Sequence, residues 1–112
     1  MIVGELVHKL GLEACCGAGS LGQEVTGGYC GDLLSDVMAN SKAGNVWITM
    51  QVHVNIVAVA VLKELSAIIL VNGKQPAEDT VKRARKENVP ILLSKHSAYE
   101  VAGKLYFLGA TA

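Results

Sequence analysis

The chain has 112 residues, of which 51% are apolar and only 4% aromatic, with 10 basic and 10 acidic side chains. That is one domain with a real core built from Val, Ile, Leu and Ala, as in α/β proteins. A formal charge of zero supplies no basic face for a nucleic-acid backbone, no apolar run reaches the roughly 18 residues of a membrane span, and three cysteines do not suit a secreted disulfide framework. The N-terminus, M-I-V-G-E-L-V-H-K, lacks a signal-peptide pattern, so a cytoplasmic protein without nucleic-acid or membrane partners is expected.

Ile2, Val3, Leu6, Val7 and Leu10 make one face of a short helix, and Gly11 is its stop. Leu12 to Cys16 reads as a strand. In it, Cys15 and Cys16 are expected to point to opposite faces as buried structural thiols. Gly17 to Gly22 then matches the spacing G-x-G-x-x-G. The dinucleotide fingerprint needs a helix opening at the last glycines, but Gln23 to Gly28 is turn-like, so a flexible turn is the better reading. Thr26-Gly27-Gly28-Tyr29 reads as a second glycine turn, after which Asp32 is placed to cap a helix with Leu33, Leu34, Val37 and Met38 on one face.

The chain is organised around Asn45 to Gly73. Val46, Ile48, Met50, Val52 and Val54 alternate with Trp47, Thr49, Gln51 and His53, which is a strand signal. Asn55 is placed to cap a helix over Ile56 to Leu65, and Ala67 to Val71 is an apolar strand covered on both faces. Strand, crossover helix, strand implies a parallel sheet. The helix is apolar all round at its start and calls for cover, which points to self-association as a two-fold dimer. Asn72 to Pro76 forms a turn. Glu78 and Asp79 open an outer helix that Lys82, Arg83, Arg85 and Lys86 close, with Asn88 and Pro90 ending it. Val89 to Leu93 is a further strand. Ser97 and Glu100 form a capping box for a last helix with Ala98, Val101, Ala102, Leu105 and Tyr106 on its apolar face.

The order α-β-β-α-β-α-β-α-β-α predicts one α/β domain over residues 1–112, a layered sandwich with a mainly parallel sheet flanked by helices, to which a first hairpin-like pair adds a mixed edge. In such sheets ligands meet the carboxyl ends of the strands. Thr49, Gln51 and His53 share a face there, and Asn55 starts the next helix. Asp32 and Asp36 lie at another helix start, and Lys95 and Ser97 follow the last strand. These groups suit a small anionic ligand better than a chemical step. No metal-ligand spacing, nucleophile elbow or P-loop occurs, so no catalytic residue, cofactor or metal site is assigned.

Several segments resemble the DRTGG domain family: V-T-G-G-Y-C-G-D-L-L-S-D-V-M-A-N (Val25 to Asn40), H-V-N-I-V-A-V-A-V-L-K-E-L (His53 to Leu65), I-I-L-V-N-G, and S-A-Y-E-V-A-G-K-L (Ser97 to Leu105). The Asp-Arg pair of the family name is Glu24-Val25 here. The resemblance implies a small α/β domain of the kind that accompanies CBS modules, some pyrophosphatases and some phosphotransacetylases, and that is similar to the non-catalytic N-terminal domain of HPr kinase. It implies regulation, ligand sensing or dimerisation, and carries no catalytic residues. The function expected is a non-catalytic regulatory domain that dimerises and binds a small anionic metabolite or nucleotide through Gly27, Gly28, Asp32, Thr49, Gln51, His53, Asn55, Lys95 and Ser97. The alternatives are an interaction module docking on a protein partner without a ligand and, last, an enzyme using His53 with Asp32 or Asp36 as acid and base.

Overall fold

The computed structural model describes residues 1–110. At its centre is strand β3 (Asn45–Thr49), with β2 (Gly27–Cys30) on one side and β4 (Ala67–Leu70) then β5 (Ile91–Leu93) on the other, all parallel. β1 (Glu13–Cys16) pairs antiparallel with β5, giving the order β1-β5-β4-β3-β2. Helices α1 (Val3–Leu10), α2 (Leu34–Asn40), α3 (Asn55–Leu62), α4 (Glu78–Glu87) and α5 (Ala98–Phe107) complete the three-layer α/β sandwich.

Strands β2 to β5 advance across the sheet in one direction, so their right-handed crossovers put α2, α3 and α4 on the same face. There Val37, Ile56, Val57, Ala60 and Ala84 pack on Trp47, Ile68, Leu70, Ile91 and Leu93. On the opposite face Val3, Leu6, Val101 and Leu105 pack on Val46, Ile48, Ala67, Ile69 and Leu92. Every residue of β3 and β4 is therefore buried, as strands with both faces covered require. Gly11 and Asn88 end α1 and α4 in the left-handed conformation, with φ of 61° and 56°. The Ser97 hydroxyl accepts the Glu100 N–H at 3.2 Å and caps α5.

The structure corrects several expectations. The first two strands are no hairpin: they occupy opposite edges of the sheet. Thr26-Gly27-Gly28-Tyr29 is no turn, since Gly27 and Gly28 are strand residues paired with Asn45 and Val46. Gly28 makes room for α5, because a Cβ there would lie 2.8 Å from Cδ2 of Leu105 and that side chain would have to shift. The Gly17 to Gly22 segment holds a short 3₁₀ turn, Ala18–Ser20, with Gly17 left-handed and pressed against the Val89 backbone.

The central strand stops at Thr49 and does not reach Val54. The Asp32 carboxylate takes the Met50 N–H, and the Thr49 hydroxyl takes that of Gln51, so the ladder ends on side chains. Asp32 thus does not cap α2, whose N-cap is Leu33 without a side-chain bond. Asn55 does not cap α3 either: it already lies inside the helix, and the first turn closes on backbone carbonyls of His53 and Val54. α3 is largely covered by the sheet, α2 and α4, leaving Val61 41% and Leu62 70% exposed. A bulge between Ala14 and Cys16 breaks the alternation of β1, so Cys15 and Cys16 both pack against the α2–α4 side of the core.

Candidate functional site

The carboxyl ends of β2, β3, β4 and β5 form one rim of the sheet, and its loops are tied together by side chains. Asp32, in the β2–α2 turn, accepts the Thr49 hydroxyl at 2.8 Å and the Met50 N–H at 2.7 Å on one carboxylate oxygen. Gln51 returns the link, donating from Nε2 to the Asp32 carbonyl at 2.9 Å. Trp47 Nε1 donates to the Gly31 carbonyl at 2.8 Å. The β2–α2 and β3–α3 loops are therefore one unit. The Val52 carbonyl extends it to α4 by accepting the Thr80 hydroxyl and the Ala77 N–H.

The β4–α4 turn, Asn72-Gly73-Lys74, joins this unit to the end of β5. Asn72 N–H donates to the His96 carbonyl at 2.8 Å and Gly73 N–H to that of Ser94 at 2.9 Å. Asn72 and Gly73 both have positive φ, 58° and 69°, which turns the chain back sharply over the rim. Two shallow depressions lie on either side. One, of about 280 Å³, is lined by Asp32, Met50, Gln51 and Lys74. The other, of about 300 Å³, is lined by residues that include Glu13, Gln75, Ser94, Lys95 and His96. Lys74 and Lys95 take part in none of the ion pairs among the described residues. His96 is oriented by Glu100, whose carboxylate lies 2.8 Å from Nδ1 and 3.2 Å from Lys104 Nζ.

Of the residues singled out in the sequence, Asp32, Thr49 and Gln51 meet directly, and Lys95 lies across the same rim. His53 and Asn55 are exposed at the start of α3, beyond the end of the strand that was expected to carry His53. Ser97 is engaged in capping. Gly27 and Gly28 start β2 at the opposite, amino end of the sheet, where Thr26 donates to the Ala43 carbonyl and accepts from Asn45. The T-G-G motif therefore holds strand to turn and strand to helix. Lys74 was missed: it follows Asn72-Gly73 at a strand's carboxyl end, a position that signals a rim turn.

A larger cleft, about 560 Å³, opens at the amino end of the sheet. Its charged lining residues are Glu24, Glu64 and Glu87, so it disfavours an anion. The groups with displaced pKa lie elsewhere. Burial and a hydrogen bond with Cys15 push the Cys16 thiol from 9.0 up to about 12. The bond to Asp36 holds the Tyr29 phenol above its ordinary range, and burial, then the Asp32 charge, raises Cys30. Among the described residues no cluster of His, Cys, Asp and Glu could hold a metal ion, and no helix is long and apolar enough to cross a membrane.

The family model of the DRTGG domain matches residues 5–106. The chain belongs to the DRTGG domain family. This DRTGG domain is similar in fold to the regulatory region, comprising CBS and DRTGG domains, of a Clostridium perfringens pyrophosphatase, seen in complex with its activator diadenosine tetraphosphate. The TM-score is 0.65 at 16% identity, over 93% of this chain and 45% of that one. No curated protein matches the DRTGG domain described here.

Proposed function

We propose that this domain is a non-catalytic regulatory module that binds a small anionic ligand at the carboxyl rim and self-associates. The observation that carries the ligand is the placement of Lys74 and Lys95. Among the described residues they have no ion-pair partner, and they stand on two depressions that share the Asn72–Lys74 turn. Asp32 keeps its negative charge beside Lys74, with Oδ1 held by two hydrogen bonds, so of the two depressions the one at Lys95 is the better placed to meet the anion and Lys74 adds its charge from the shared turn. The amino end of the α3 dipole adds positive potential near Gln51, with His53 and Asn55 exposed there. The shallowness of both depressions suits reversible binding, and the hydrogen bonds from rim loop to rim loop would let an occupant stiffen several elements together. The regulatory setting of the similar pyrophosphatase region favours the same role here.

A thermal-shift screen of nucleotides, dinucleoside polyphosphates and phosphorylated metabolites tests this. A ligand at 100 times its Kd stabilises by about 2.7 kcal/mol. The shift should be lost in Lys74→Ala and Lys95→Ala and kept in Glu64→Ala, at the other end of the sheet. No shift with any compound at millimolar concentration would refute the ligand site. The exposed Val61 and Leu62 at the end of α3 favour a second role, docking of a protein partner, which Leu62→Glu would abolish.

A further inference from the structure

We propose that a second copy of this chain docks on the open edge of β2 and the adjoining face of α5, joining the two sheets across a two-fold axis. This gives a surface to the self-association in the reading above and does not depend on the ligand.

β2 is the last strand on its side, and its sequence, Gly27-Gly28-Tyr29-Cys30, has no charge and no proline to blunt the edge. Gly31 N–H points inward to the Ile48 carbonyl at 3.1 Å. Alternation then turns the N–H and C=O of Tyr29 inward and those of Gly28 and Cys30 outward. Among the described residues, none of these outward groups has a hydrogen-bond partner. Antiparallel pairing of β2 with itself would satisfy them, setting Gly28 opposite the partner's Cys30 and Tyr29 on the axis.

The helix above the edge selects this partner. Leu105 of α5 sits on Gly28, and the helix packs across both β2 and β3. Strands are spaced about 4.8 Å apart, so two sheets joined at β2 would hold their α5 helices about 10 Å apart, the distance at which helices pack. The side of α5 that would face the partner carries Tyr99, Ala102 and Tyr106, of which Tyr99 is 92% and Tyr106 65% exposed. In antiparallel register Tyr99 meets the partner's Tyr106, while the small Ala102 at the middle allows close approach. Aromatic side chains bury about 150–250 Å² each, so the two tyrosines alone supply roughly 300 Å² of the about 800 Å² per partner in a standard interface. The bare strand edge and Ala110 add to it.

The test is sedimentation equilibrium of the 112-residue chain with amide exchange by NMR. The expected result is a dimer at micromolar concentration, with Gly28 and Cys30 amides protected from exchange. Tyr99→Glu/Tyr106→Glu should weaken it at least 100-fold with an unchanged circular dichroism spectrum, and Leu62→Glu should leave it intact. A monomer at millimolar concentration would overturn the proposal. So would a dimer whose Gly28 and Cys30 amides exchange freely, or one broken by Leu62→Glu. Protection of that edge only on adding a different protein would assign the surface to another partner and equally overturn it. A lost ligand shift with an intact dimer defeats the ligand site alone.

Discussion

Removing the Asp32 carboxylate should destabilise the fold through Thr49, not through helix α2. In Asp32→Ala the Thr49 hydroxyl, on a residue only 2% exposed, loses its acceptor, and the Met50 N–H loses a charged partner. Hydrogen bonds to charged groups contribute about 1.5–3 kcal/mol each, and the exposed Met50 N–H can turn to water, so a net loss of about 2–3 kcal/mol is expected. With an unfolding entropy near 2.1 cal/mol/K per residue, that lowers Tm by roughly 10 °C. Urea denaturation would measure it, in a cycle with Thr49→Val. If the latch is real, Asp32→Ala should cost about 1 kcal/mol less when Thr49 is already Val. A cap on α2 would also lose about 1 kcal/mol, but without coupling to residue 49. Additivity of the two substitutions within about 0.3 kcal/mol would therefore refute the reasoning.

Gly28→Ala should cost about 1–3 kcal/mol by overpacking against Leu105 and much less in a Leu105→Ala background, as chemical denaturation of the four variants would show. Ser97→Ala should cost about 1 kcal/mol by uncapping α5, read as a shift in the urea midpoint. The Cys16 thiol stays protonated in the folded state up to about 12 but ionises near 9.0 once unfolded. Its contribution to stability is complete below pH 9.0 and is lost as pH rises toward 12. Melting curves across that window should fall less steeply for Cys16→Ala than for the parent chain.

The regular elements were legible because their signals are local. Apolar alternation in Val46 to Thr49, the branched run of Ala67 to Val71, and the stops at Gly11 and Asn88 all depend on nearby residues. Sheet order was not legible. Whether Glu13–Cys16 pairs with its chain neighbour or with Ile91–Leu93 is decided by long-range packing. Both misplaced caps have one cause. Asp32 and Asn55 stand where a cap would, but a carboxylate reached across to β3 in the first case, and a tight backbone turn closed the helix start in the second. At the rim, polar residues could be picked out individually, and Asn72-Gly73 signalled the turn that carries Lys74, but its place beside Asp32 arises only once β4 lies next to β3.

The position of β1 has a consequence for how the chain acquires its shape during synthesis. β2, β3, β4 and β5 can zip up in the order in which they are made, each new strand joining the one before it. β1, made before all of them, finds its mate only in Ile91–Leu93, the last strand of the sheet to be made. β1, with the cysteine pair, must wait unpaired until Ile91–Leu93 has been made. Its arrival is the slow, entropically costly closure that completes the sheet.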